Sequence, residues 1–255
     1  MNSVKTVSVD DLRVLTYNNE IELAQNAAQI GQTYLQAVLN RQEIAAVMLA
    51  TGNSQIQFLK ALIALGGIDW SRIILFHLDE YLGIKAEATG SFQYYLRKKV
   101  ENQVNPAYFY YIQGDAPEPI AECDRYANLL MAQPIDLCLL GIGQNGHLAF
   151  NEPDVANFND PLCVKLVRLA MTTRQAQVNQ GYFPHLEAVP QYAFTVTLPM
   201  LACAQKIICL APGQGKAPII KKMLADAIAP TCPASILRKC PNATLFLDRN
   251  SASLL

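Results

Sequence analysis

One stretch constrains this chain more than any other: residues 135–153, IDLCLLGIGQNGHLAFNEP. Residues 135–142 form a short, almost wholly apolar run that gives way to glycines, Gly141 and Gly143. A run of that kind predicts a strand buried on both faces of a parallel sheet. The chemistry then changes abruptly. Gly141, Gly143 and Gly146 interleave with Gln144, Asn145 and His147, and Asn151 and Glu152 follow. In open α/β sheets ligands bind beyond the carboxyl ends of the strands, where loops gather polar groups. A buried strand that delivers a histidine, an asparagine and a glutamate together reads as such an end. The plain alternative is a glycine-rich turn carrying a surface histidine.

The rest of the pattern fits that frame. Strands are predicted at 12–17, 44–50, 72–78, 108–112, 164–169, 193–198, 206–210 and 244–247. Helices are predicted at 19–41, 55–65, 91–100, 120–131, 172–181 and 215–225, with a polar, proline-bounded loop at 154–161. Strands alternating with helices of this length argue for crossover units and a mostly parallel, doubly wound sheet with helices on both faces. No repeat or linker divides residues 1–255, so one α/β domain is expected.

Composition narrows the function. With 51% hydrophobic and 16% charged residues, the chain is globular rather than disordered. A net charge of −1 without any basic run gives nucleic acid no electrostatic footprint. The start, MNSVKTVSVDDL, lacks the apolar core of a signal peptide, and no apolar run reaches membrane-spanning length. A cytoplasmic protein is the expectation. Cys123, Cys138, Cys163, Cys203, Cys209, Cys232 and Cys240 form no CxxC pair and read as reduced, mostly buried thiols. His77, His147 and His185 are the only histidines, which argues against a histidine-rich zinc site.

Two further polar clusters sit at predicted strand ends. Thr51, Gly52, Asn53 and Ser54 lie between a strand and a helix, where free N–H groups and the helix dipole favour a phosphate. Ser54 is equally placed to be a plain N-cap. Asp79 and Glu80 follow the third strand, where an acidic pair is commonly a solvated edge or a helix cap. His77 alternates with Phe76 and Leu78 and reads as structural.

These three clusters carry a resemblance. GxGxNGHLAFNEP is similar to the signature loop of the glucosamine-6-phosphate deaminase (isomerase) family, in the superfamily of sugar-phosphate isomerases and CoA-transferase-like proteins. LATGNSQ at 49–55 resembles that family's phosphate loop, and LDEYLGI at 78–84 its catalytic-base motif. GQGK and CPASILR, within 206–248, are similar in the weaker C-terminal part.

The resemblance implies a Rossmann-like fold and deamination of glucosamine 6-phosphate to fructose 6-phosphate and ammonia, without cofactor or metal. It implies Asp79 as the base between two sugar carbons, and His147 as acid–base catalyst of ring opening. Glu152 would charge His147, and Asn145, a position that is Asp in some members, would orient it. Thr51, Gly52, Asn53 and Ser54 would hold the phosphate with Arg174 of TTRQ and Lys216 of GQGK. Where this chain has Asn53 and Ser54 the family more often has Gly and Thr. Residues 154–185 resemble a mobile lid, with two more residues before Tyr182 and Phe183 than many members carry. Alternatives are 6-phosphogluconolactonase, galactosamine-6-phosphate deaminase, and a non-enzymatic regulator that binds sugar phosphates. The lactonases typically have DER where this chain has Asp79, Glu80 and Tyr81. The sequence leaves monomer and homo-oligomer both open.

Overall fold

The computed structural model describes residues 5–255 and enters on a hairpin, β1 (Lys5–Val9) and β2 (Leu12–Tyr17), turned at Asp10 with φ 50°. Residues 1–4, part of the N-terminal stretch read above, lie outside the described residues. Asn19 caps α1 (Glu20–Leu39), its side chain accepting from the Glu22 N–H at 2.9 Å. β3 (Ala45–Leu49) leads into α2 (Asn53–Ala64), and β4 (Ile73–His77) is followed at once by the short β5 (Asp79–Tyr81). α3 (Phe92–Leu96) passes through a π turn at Arg97–Glu101 into α4 (Asn102–Val104). β6 (Tyr108–Tyr110), α5 (Pro119–Met131) and β7 (Leu137–Gly141) come next. β8 (Val164–Arg168), α6 (Met171–Asn179), β9 (Tyr192–Val196) and α7 (Leu198–Ala202) follow. The chain closes with β10 (Lys206–Leu210), α8 (Ala217–Ala225), a 3₁₀ segment at Pro233–Lys239 and β11 (Ala243–Asp248).

Among the described residues eight strands form one sheet in the order β1-β2-β11-β10-β7-β3-β4-β6, parallel throughout except where β1 pairs β2. The chain winds outward from β3 through β4 to β6, returns to β7, then winds the other way through β10 and β11. The reversal falls between β3 and β7, whose register pairs Val47 with Leu137 and Met48 with Cys138. Ligand crevices open at such a switch point, because the two loops leaving it diverge to opposite faces.

Side-chain alternation divides the core between the two faces. Ala46, Met48, Cys138, Leu140, Ile207 and Cys209 pack against α5, α7, α8 and the 3₁₀ segment. Ala45, Val47, Leu49, Leu137, Leu139, Ile208 and Leu210 pack against α1 and α2. Both faces are therefore apolar, which is why these strands read as continuous runs rather than as alternation. Leu139 has no exposed surface; truncating it to Ala in such a core costs about 2–5 kcal/mol. Among the described residues no helix is long and apolar enough to cross a membrane.

Two expectations need correction, and one alternative falls away. The stretches at 164–169 and 193–198 do not join the parallel sheet. They pair antiparallel as β8 and β9, with β5 on the other edge of β9. Tyr81, Val167 and Ala193 gather with Phe150, Leu169 and Val189 in a small core of their own, which holds this sheet apart. The acidic pair thus sits inside a strand, not on a bare strand end. Ser54 is not the cap of α2: Gly52 holds that position with φ 92°, and no side chain caps the helix. β1 escaped the sequence reading because its residues are mostly exposed and lack an apolar rhythm.

Candidate functional site

A cavity of about 640 Å³ opens at the carboxyl ends of β3, β4, β7 and β10. Thr51, Gly52, Asn53, Ser54, Asp79, Asn145, His147 and Lys216 all line it. The topology brings together residues that are separated by up to a whole domain in sequence.

The loop after β3 presents the start of α2 to the cavity. The Gln55 N–H is taken by the Gly52 carbonyl at 3.1 Å, but no side chain among the described residues caps this first turn, which leaves the Asn53 and Ser54 N–H groups to meet an anion. This end is pinned from below. Gln55, with no exposed surface, donates from Nε2 to the Leu140 carbonyl and to Ser54 Oγ, both at 3.1 Å. Gly141 makes the approach feasible, since a Cβ there would stand 2.8 Å from Ser54 Oγ.

The loop after β7 aims His147. Gly143 donates its N–H to the His147 carbonyl at 2.9 Å, and the imidazole lies against Gly143 itself. A Cβ at 143 would fall 2.2 Å from Cε1 and Nε2 of that ring, so only glycine fits. Asn145 Oδ1 accepts the His147 backbone N–H at 3.1 Å and faces Nδ1 at 2.8 Å. The backbone donor fixes which end of the amide is oxygen, and an amide oxygen only accepts. The imidazole therefore carries its proton on Nδ1 and leaves Nε2 bare. Burial, with help from the Lys216 charge, lowers the His147 pKa to about 4, so the ring is neutral at pH 7. The loop is further held from the C-terminal part, where Ala234 donates its N–H to the Gly146 carbonyl at 2.8 Å. Ala149, on the cavity wall, has φ 50°, a strained value for a residue with a Cβ.

The acidic pair splits across β5. Asp79 lines the cavity at 7% exposure, and its carboxylate accepts no hydrogen bond from the described residues. Burial, then the neighbouring Glu80 charge, raises its pKa well above the ordinary carboxylate value. Glu80 points the other way and supplies a function sequence reasoning did not find. It accepts from Ser91 Oγ and from the N–H groups of Tyr81, Phe92 and Gln93, tying β5 to the start of α3. Burial outweighs these bonds and raises its pKa too. His77 is structural, as expected: Nε2 accepts the Ile112 N–H at 2.8 Å, and burial lowers its pKa to about 3.

Lys216 reaches the cavity from the turn after β10, where burial lowers its pKa. Two other expected site residues are engaged elsewhere in this structure. Arg174 does not line the cavity. Its guanidinium donates to the carbonyls of Leu186 and Val189, at 2.8 Å each from Nη2, because α6 directs it into the loop beyond. Glu152 is buried, yet no described hydrogen bond joins it to His147. Its Oε2 accepts the Ala170 N–H at the start of α6, and Oε1 has no partner among the described residues. Sequence reasoning also missed Glu20, Tyr95, Gln177 and Tyr182 on the cavity wall. Only the Tyr182–Phe183 pair gave a signal, as two adjacent aromatics in an otherwise polar loop.

All seven cysteines are free thiols, and Cys138 and Cys209 are fully buried. Burial raises the pKa of both, which makes them inert. Among the described residues, no group of three or more His, Cys, Asp or Glu side chains is placed to hold a metal.

Comparison with known proteins adds to this geometry. Residues 18–246 match the model of the family described as glucosamine-6-phosphate isomerases/6-phosphogluconolactonase. The glucosamine-6-phosphate deaminase of Bacillus thuringiensis is 33% identical over 234 residues, 92% of this chain and 87% of that one. The solved structure of a monomeric glucosamine-6-phosphate deaminase superposes with a TM-score of 0.88 at 31% identity, covering 95% of this chain and 99% of that one. A 6-phosphogluconolactonase from Shewanella baltica shares the fold, with a TM-score of 0.77 at 18% identity over 97% and 100% of the two chains.

Proposed function

Because the chain belongs to the family of glucosamine-6-phosphate isomerases and 6-phosphogluconolactonases, we propose that it deaminates and isomerises glucosamine 6-phosphate to fructose 6-phosphate and ammonia. One observation carries the choice of reaction. Asp79 is a buried carboxylate with no hydrogen-bond donor of its own, on the same cavity wall as a neutral histidine. Opening a lactone needs water at C1, whereas moving a carbonyl from C1 to C2 needs a base for the C2 proton. An unpartnered carboxylate of raised pKa suits the second task.

The steps follow from the groups present. His147 takes the anomeric hydroxyl proton on Nε2 and returns it to the ring oxygen, which opens the pyranose to the aldehyde. Asp79 takes the C2 proton and delivers it to C1, while a proton of the amine passes to the C1 oxygen, so C1 becomes a hydroxymethyl carbon and C2 an imine. Water then adds at C2 and ammonia leaves, giving the ketose. The phosphate lies on the N–H groups of Asn53 and Ser54 at the start of α2, with Thr51 and Lys216 beside it. Holding the remote phosphate fixes the reacting carbons near Asp79. Asn145 sets the tautomer of His147. Glu152, through Ala170, positions α6 and the segment at 154–185, which acts as a lid.

The test offers glucosamine 6-phosphate, galactosamine 6-phosphate and 6-phosphogluconolactone to the same preparation. Ammonia and fructose 6-phosphate from the first substrate are expected. Rapid lactone hydrolysis without ammonia from either amino sugar would replace this reading with the lactonase one. Phosphate binding without turnover of any substrate would favour a regulator.

A further inference from the structure

The cavity must hold a phosphate with few charges. Lys216 is the one lysine or arginine among its described lining residues, since Arg174 is committed to the Leu186 and Val189 carbonyls. A single point charge leaves most oxygens of a dianion to neutral donors. The backbone at the start of α2 supplies some of these.

Another donor stands at the same place. The Tyr182 hydroxyl donates to Asn53 Oδ1 at 2.8 Å, a bond that spans 129 residues and joins the 171–183 segment to the phosphate loop. Both residues line the cavity. With Oδ1 occupied, Asn53 Nδ2 is left without a partner among the described residues. The segment is seated next door by Phe183, whose ring meets Tyr81 edge-on at a centroid distance of 5.4 Å. It also fills the space that Gly90 leaves, where a Cβ would come within 2.7 Å of the ring.

We propose that Tyr182 is a positioning residue of the phosphate subsite. By holding Asn53 Oδ1 it turns the amide Nδ2 toward the anion, and it latches the segment over the bound phosphate. This inference rests on the sugar-phosphate reading of the cavity.

The test compares the parent with Tyr182→Phe, Asn53→Ala and the double variant, in two measurements. One is steady-state deamination of glucosamine 6-phosphate, and the other is binding of inorganic phosphate by calorimetry. Loss of the latch raises KM and the phosphate Kd together by roughly three- to tenfold, the size of a neutral hydrogen bond, with a much smaller change in kcat. In the Asn53→Ala background Tyr182→Phe adds little further loss, because the two act through one bond. Additive losses, or a phosphate Kd that Tyr182→Phe leaves unchanged, would overturn the proposal. So would a fall in kcat at constant KM. A parent that released no ammonia would remove the functional reading instead, and phosphate binding would still read the latch.

Discussion

Asn145 Oδ1 faces Nδ1 of His147 at 2.8 Å while also accepting that residue's own backbone N–H at 3.1 Å. One oxygen thus fixes both the ring's orientation and its tautomer. It adds no charge, so burial and Lys216 are left to hold the pKa at about 4. Asn145→Asp puts a carboxylate at Nδ1 and should raise the His147 pKa, read from the ring proton shifts by NMR. Activity should stay within about an order of magnitude, since orientation is preserved. Lys216→Met should raise the same pKa by removing a like charge. No movement of the His147 titration in either variant would mean that neither group governs it.

Arg174 holds together the loop beyond α6, with its guanidinium on two backbone carbonyls. Arg174→Ala is expected to lower unfolding stability by about 2–4 kcal/mol, because it removes charge-assisted bonds and strands buried acceptors. Denaturant titration reads this directly. Unchanged stability with a sharply raised KM would instead return Arg174 to the phosphate clamp that its sequence position suggests.

Asp79 makes the site unstable in a pH-dependent way. Its folded pKa lies above the unfolded value, so between the two the folded protein holds a proton that the unfolded chain has released. That contribution to stability is fully present at acid pH and is lost as pH rises through the folded value. Asp79→Asn carries no charge to desolvate. It should therefore melt above the parent at neutral and alkaline pH, with the difference shrinking toward acid pH. A variant melting below the parent at pH 8 would contradict the idea that the carboxylate is held in an unfavourable site.

Much of the parallel sheet was legible because strands such as 135–142 are buried on both faces and so are apolar throughout. The small antiparallel sheet was not, since local patterning does not say which strand a neighbour pairs with. Its strands look alike in sequence; Tyr81, Phe150 and Val189 separate it only once the chain is folded. The cavity wall was legible where contacts are local, as in the Asn145–His147 turn. The contacts of Arg174 and Glu152 were not legible, because their partners, Val189 and Ala170, are backbone groups that no sequence pattern marks. Glu80 stayed without a role for the same reason, its acceptor duty being to the N–H groups of Phe92 and Gln93.

The central claim is that Asp79 moves the C2 proton of an amino sugar. It is tested by a proton NMR time course of glucosamine 6-phosphate in D₂O with the parent and with Asp79→Asn. Asparagine keeps the shape of the group but removes its basicity, so substrate should still bind in the micromolar-to-millimolar range usual for substrates. The account predicts that the parent loses the C2 signal and releases ammonia, while the variant does neither. Loss of the C2 signal at the same rate in both proteins would contradict it.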